Sequence, residues 1–295
     1  MTRLTARDFA PELLELYDYY AHGRITRRDF LDRAAAHVGA GLTAAAVLAA
    51  MSPDYALANQ VAPDDDGIVA QDITYPSPQG HGEVTGYLVR PSGVTEPRGG
   101  VVVVHENRGL NPYIRDVARR VAKAGYVALA PDGLSSVGGY PGDDDRGREL
   151  QAAVDPAKLM NDFLAAVEFL TAHAATTGRV GITGFCYGGG VANAAAVAFP
   201  DLACAVPFYG RQPRPEDAAR IKAPLLLHFA ELDTRINETW PAFEAALQAA
   251  GVPYEAHIYP GANHGFHNDT TPRYDAEAAA LAWDRTLDWF ARHLG

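Results

Sequence analysis

The chain has little cysteine: Cys186 and Cys204 are the only two in 295 residues. Two cysteines at that spacing make neither a disulfide framework nor a zinc site. It has no dense run of lysine or arginine, and its net charge is −11. An acidic chain without a basic patch does not attract phosphate backbones or anionic membranes, so neither nucleic acid nor a stable membrane association is expected. No dinucleotide fingerprint follows the first strand and no phosphate loop is present, so no cofactor is expected. His267 stands three residues after His264, but no Cys/His/carboxylate cluster joins them, and no metal is expected either. There is no internal repeat and no low-complexity tract. With 48% hydrophobic and 21% charged residues the chain is not globally disordered.

A catalytic α/β domain of roughly 200–250 residues folds around one core, which leaves about 60 residues at the N-terminus. Two readings of residues 1–58 stay open. Phe9, Leu13, Leu16, Tyr17 and Tyr20 recur at helical spacing behind Pro11, as in a folded helical extension. Thr26-Arg27-Arg28-Asp29-Phe30-Leu31, the uncharged stretch Ala34 to Met51 and Ala56-Leu57-Ala58 have instead the order of a twin-arginine leader with a small-residue cleavage site. The first reading leaves the protein in the cytoplasm and the second exports it to the periplasm. The Ala34–Met51 stretch is only weakly hydrophobic and barely long enough to span a bilayer, so a buried helix also fits it. Residues 59–67, polar and acidic, read as a linker, and the catalytic domain as residues 68–295.

From Ile68 onward strand and helix signals alternate. Strands are expected near Ile73, over Gly82–Arg90, and at the β-branched run Val101-Val102-Val103-Val104-His105, which reads as covered on both faces. Others are expected over Tyr126–Ala130, Arg179–Thr183, Ala203–Phe208, Leu225–Phe229 and Tyr254–Tyr259. Helices are expected over Asn111–Lys123, Pro156–His173, Gly188–Phe199, Trp240–Ala250 and Asp275–His293, and a long loop over Gly133 to Gly147. This alternation predicts an α/β-hydrolase fold, a mostly parallel sheet with helices on both faces.

The chemistry centres on Gly184-Phe185-Cys186-Tyr187-Gly188, a Gly-x-nucleophile-x-Gly pattern between an expected strand and an expected helix. There the helix N-terminus favours a thiolate and a developing oxyanion, and the Tyr187 N–H supplies one oxyanion donor. Cys204 lies in an apolar strand without that frame and reads as core. The fold orders its triad nucleophile, acid, histidine. Asp233, past the end of the Leu225 strand, is the expected acid, with Glu231 its rival. His264, in Gly261-Ala262-Asn263-His264-Gly265-Phe266, is the expected base. His228 and His257 read as packed within strands.

These residues together resemble the dienelactone hydrolase (carboxymethylenebutenolidase) family over about Ile68 to Gly295. The anchors are Val103 to Gly109, Ala130-Pro131-Asp132, Gly184 to Gly189, Pro207-Phe208-Tyr209-Gly210 and His264-Gly265-Phe266. The N-terminal extension looks like that of a longer branch. The resemblance implies that Glu106 touches the nucleophilic thiol and tunes its protonation, and that the Asn107 backbone completes the oxyanion hole. It also implies two arginines that grip a substrate carboxylate, one after a Pro-Asp-Leu-Tyr segment and one four residues after the catalytic histidine. This chain has neither; Arg108 and Arg211, with Tyr209 two residues ahead of Arg211, are the candidates to bind substrate instead. The expected activity is hydrolysis of a small ester or lactone through a Cys-His-Asp triad and a thioester. A thioesterase or peptidase on the same machinery and a non-catalytic binding protein are the alternatives. The substrate is a small molecule, and the oligomeric state is open.

Overall fold

The computed structural model describes residues 3–39 and 41–295. Three short helices come first, α1 (Pro11–Ala21), α2 (Arg27–Ala34) and α3 (Ala44–Met51). The α/β domain follows as β1 (Ile68–Ser77), β2 (Gly82–Pro91), β3 (Arg98–Val104), α4 (Pro112–Lys123) and β4 (Val127–Pro131). Next come α5 (Asp144–Ala153), α6 (Pro156–Ala172), β5 (Thr176–Phe185), α7 (Tyr187–Ala198), β6 (Cys204–Phe208) and β7 (Leu225–Ala230). The chain closes with α8 (Thr234–Asn237), α9 (Trp240–Ala250), β8 (Tyr254–Tyr259) and α10 (Ala276–Leu294).

The eight strands form one sheet in the order β1-β2-β4-β3-β5-β6-β7-β8. β1 and β2 form an antiparallel pair at one edge, and β2 also runs antiparallel to β4. The other strand pairings are parallel. Parallel strands of this kind need both faces covered. Tyr113, Ile114 and Val117 of α4 and Trp289 and Phe290 of α10 bury one face, while Phe163 of α6, Val191 of α7 and Phe243 of α9 bury the other. The register pairs Val104 with Gly184, Gly184 with Pro207 and Ala230 with Tyr259, so the carboxyl ends of β3, β5, β6, β7 and β8 share one edge. The chain winds one way from β3 to β4 and the other way to β5. A ligand crevice belongs at that reversal.

Two elements differ from expectation. α5 begins at Asp144, inside the stretch read as loop: Asp143 caps it by accepting from the Arg146 N–H at 2.7 Å. The Asp/Gly-rich sequence has no apolar stripe to announce a helix, and α5 is held by contacts with the N-terminal segment. The stretch Ala34 to Met51 is not one helix, because α2 ends at Ala34 and α3 restarts behind the Thr43 cap. Among the described residues no helix is long and apolar enough to cross a membrane.

The three N-terminal helices share a small core of Leu13, Tyr17, Tyr20, Phe30, Val47, Leu48 and Met51. Burying each large apolar side chain stabilises by about 1.5–3 kcal/mol, little for a segment this short to stand on alone. Polar ties fix it to the α/β domain. Tyr20 Oη donates to Asp145, Asn107 Nδ2 donates to the Ala21 carbonyl at 2.8 Å, and Arg273 pairs with Asp18 at 3.4 Å. The polar segment behind α3 runs along α4, where Arg119 donates to the Ala58 and Val61 carbonyls and Lys123 pairs with Asp65. Arg27 and Arg28 open α2, and the expected cleavage tripeptide forms a 3-10 turn ending at the buried Ala58.

Candidate active site

β5 ends at Phe185 and α7 begins at Tyr187, so Cys186 occupies the sharp turn between them, with φ +57° and ψ −111°. A non-glycine residue in such a conformation is strained by about 1–3 kcal/mol and persists only where its surroundings hold it. The close approach of the flanking backbone is why glycines frame it. A Cβ on Gly184 would lie 2.2 Å from the Gly188 carbonyl oxygen, and one on Gly188 would lie 2.3 Å from that of Val104. The first N–H groups of α7, that of Tyr187 among them, have no partner within the helix and point toward the turn.

The histidine comes from the loop between β8 and α10. His264 is buried, and its Nδ1 lies 2.5 Å from Asp233 Oδ2. Asp233 follows β7 and caps α8 by accepting from the Ile236 N–H. The rival Glu231 points away, accepting from the Gly261 N–H at 2.8 Å. A His264 ring nitrogen lies within 4.8 Å of the Cys186 sulfur, and Nε2 is buried without a hydrogen bond. Burial works against charge on His264, but the Cys186 and Asp233 charges outweigh it and push the imidazole up to about 10. Burial would likewise raise the Cys186 thiol, yet the charges of His22 and His264 hold it well below the ordinary thiol range. Cys204 is buried in β6, and burial pushes its thiol up, an unreactive environment.

Glu106 is buried at the end of β3, accepting from Asn111 Nδ2 at 3.0 Å and Asn268 Nδ2 at 3.1 Å. Burial pushes its carboxyl up against the opposing pull of Arg108, and the Cys186 charge adds to the rise. The neighbouring His105 accepts from the Gly133 N–H through Nε2 and reaches the Glu106 carbonyl through Nδ1, pinning that strand end. The Asn107 side chain is used to hold α1. Arg108 lines the cavity over Cys186 and pairs with Asp144 at 2.9 Å. Tyr209, at φ +38°, packs its ring 4.9 Å from that of His264. Arg211 is not brought to the cavity: its side chain is exposed, and its carbonyl accepts from Asn193. The anticipated His264–His267 proximity has no ligand character, since His267 faces away to the Tyr113 hydroxyl at 2.7 Å and stacks on Phe185.

Several side chains at the site were not anticipated. His22, at the end of α1, lies with Nε2 3.2 Å from the Cys186 sulfur, and Asp18 backs its Nδ1. Arg235 Nη2 is 3.2 Å from His22 Nε2 and 3.4 Å from His264 Nδ1. Arg273 lines the same cavity, which α1 reduces to about 20 Å³, hardly more than one water. A cleft of about 740 Å³ opens beside it, between α1 and α8, and reaches His264. His22, Cys186 and His264 have the donor types of a zinc site, but the guanidiniums of Arg108, Arg235 and Arg273 make this corner inhospitable to a cation. The signal for His22 was a carboxylate and an imidazole at i and i+4 on one helix. Nothing local tied that pair to Cys186, 164 residues away.

A family model described as the dienelactone hydrolase family matches residues 84–294. The chain belongs to the dienelactone hydrolase family, and with it to the carboxylic ester hydrolases. A second model, described as YqhI-like, matches residues 1–39. A Yersinia pestis protein named as a carboxymethylenebutenolidase is 35% identical over 241 residues, covering 77% of this chain and 90% of its own. A Bradyrhizobium protein named as a 2-oxo-3-(5-oxofuran-2-ylidene)propanoate lactonase is 38% identical, covering 70% and 89%. The crystal structure of a dienelactone hydrolase from Klebsiella pneumoniae superposes with a TM-score of 0.67 at 30% identity, covering 76% of this chain and 99% of that one.

Proposed function

We propose that the protein hydrolyses a small ester or lactone with Cys186 as nucleophile, His264 as base and Asp233 as its orienter. The observation that carries this reading is the buried His264–Asp233 pair facing a cysteine held in a strained turn at a helix N-terminus. The Cys186 thiolate attacks the acyl carbon, and the carbonyl oxygen takes the negative charge opposite the N–H groups of Asn107 and Tyr187. As the tetrahedral adduct collapses, the C–O bond to the alkoxide breaks and His264 gives that oxygen a proton, leaving a thioester. Water then attacks the thioester, His264 takes its proton, and the C–S bond breaks to release the acid and restore the thiolate. Asp233 holds the tautomer and supports the imidazolium throughout.

An anionic substrate suits the site. Arg273 Nε and Arg235 Nε are buried donors without hydrogen-bond partners, and such donors are costly to leave unused. A guanidinium aligned on a carboxylate can fill that role. The names of the relatives, a carboxymethylenebutenolidase and a lactonase, favour a carboxylate-bearing lactone as the first compound to try.

The experiment is a chromogenic short-chain ester together with intact-protein mass spectrometry after rapid acid quench. Turnover by the parent, with an acyl adduct on Cys186 that is absent in Cys186→Ala, is expected. Full turnover by Cys186→Ala would overturn the mechanism. The Cys204→Ala variant should keep its activity.

A further inference from the structure

Hydrolysis through Cys186, His264 and Asp233 leaves His22 without a task, although its Nε2 lies 3.2 Å from the nucleophilic sulfur. We propose that His22 is a catalytic residue carried by the N-terminal extension: a second imidazole that takes the Cys186 proton and keeps the sulfur as a thiolate under the closed α1 cap. The proposal rests on Cys186 being the nucleophile. It concerns a segment outside residues 84–294, the span matched by the hydrolase family model.

The geometry is that of a second dyad. Nδ1 of His22 lies 2.7 Å from the Asp18 carbonyl and 3.2 Å from the Asp18 carboxylate, so that nitrogen carries a proton and donates. Nε2 is thereby directed at the sulfur, 3.2 Å away. The rings of His22 and His264 meet edge to face with their centroids 4.7 Å apart, and both offer a nitrogen near the thiol. Asp18 is itself anchored by Arg273 at 3.4 Å and Arg235 at 3.8 Å. Those pairs and the Asn107 bond to the Ala21 carbonyl hold the end of α1 over the turn. The proton transfer balances without any outside reactant: the S–H bond breaks, an Nε2–H bond forms, and a thiolate–imidazolium pair results.

Other charges face the pair from each neighbouring element. Glu106, after β3, opposes a thiolate. Arg108 beside it, Arg235 on α8 and Arg273 ahead of α10 favour one. Arg235 also competes for His22 Nε2 at 3.2 Å and opposes the imidazolium, while Asp18 and Asp233 support positive charge on the two rings. The cavity of about 20 Å³ has no room for an ester. An ester entering from the adjacent cleft shifts the end of α1; His22 leaves with its proton, and the thiolate stays beside the His264 imidazolium, which protonates the leaving oxygen before it serves as base on water.

The test reads the thiol itself, independent of turnover. The rate of Cys186 alkylation by iodoacetamide is measured against pH in the full chain, with thiolate absorbance at 240 nm alongside, for the parent, His22→Gln and Asp18→Asn. Cys204→Ala is the common background. Loss of one imidazolium partner should move the alkylation midpoint up by about one pH unit or more and slow alkylation below that midpoint. Asp18→Asn, which keeps the His22 ring, should move it in the same direction by less. If His22 only plugs the cavity, His22→Gln will alkylate faster at every pH with its midpoint unchanged, and that result overturns the proposal. Stoichiometric zinc that co-purifies with the parent and is lost from His22→Gln would overturn it too, making His22 a metal ligand. Turnover retained by Cys186→Ala sinks the nucleophile reading instead, whatever the alkylation midpoints are.

Discussion

Replacing Asp233 by asparagine exchanges one carboxylate oxygen for an NH₂ group in the buried contact with His264. The parent carboxylate accepts from His264 Nδ1 at 2.5 Å, with both side chains almost fully buried. A buried charge-assisted hydrogen bond of this kind contributes about 1.5–3 kcal/mol. Its loss alone lowers kcat/KM by roughly 10- to 150-fold, at about 1.4 kcal/mol per decade. The asparagine amide can also turn its NH₂ toward Nδ1. The imidazole proton then moves to Nε2, facing the sulfur, and the ring no longer serves as a base, which takes the loss toward about 10⁴-fold. Folding should be spared, because the asparagine oxygen still accepts the Ile236 N–H at the start of α8. The pH dependence follows from the shifts. Burial would raise the Asp233 carboxyl, but the His264 charge lowers it, so its share of stability is present above the ordinary carboxylate pKa and is lost as pH falls. His264 is pushed up to about 10, so its share is present at low pH and is lost as pH rises through that value. In Asp233→Asn the high-pH limb of kcat/KM should therefore move down. The assay is steady-state ester hydrolysis across pH, with thermal unfolding as the control and Glu231→Gln as the neighbouring carboxylate that should not matter. Activity within threefold of the parent in Asp233→Asn would refute the orienting role.

Arg273→Ala should raise KM for a carboxylate-bearing ester by roughly 10- to 100-fold more than for its neutral analogue, while the exposed Arg211→Ala should treat both esters as the parent does. Equal losses on both esters for Arg273→Ala would mean that the guanidinium only anchors α1 through Asp18. Glu106→Gln sets its NH₂ against the Nδ2 of either Asn111 or Asn268 while its oxygen still accepts from the other, and should cost about 1–3 kcal/mol in thermal or denaturant unfolding together with a drop in kcat; parent-like stability would show that the opposed amide turns over freely.

The sequence by itself determined the hydrolase scaffold and the places of the proposed Cys186, Asp233 and His264 at its strand ends. Those signals are local: a β-branched run that must be covered on both faces at Val101–Val104, glycines around Cys186 where any Cβ would meet backbone, and Asp233 and His264 just beyond strand ends. Covalent neighbours and chain order suffice to read them. The preference for Asp233 over Glu231 rests on its place two residues further into the loop. The α5 helix was missed because its Asp- and Gly-rich sequence carries no apolar period, and tertiary contacts decide its state. Arg108 reached the cavity and Arg211 did not, although both follow strand ends. A guanidinium on a long side chain goes where its partners are, and Asp144 supplies one only to Arg108. His22 could not have been assigned from the sequence at all. Its contact with Cys186 spans 164 residues and exists only because the side chains of Tyr17, Tyr20 and Phe30, the Asn107 amide and the Arg273–Asp18 pair fold the extension back onto the carboxyl edge of the sheet.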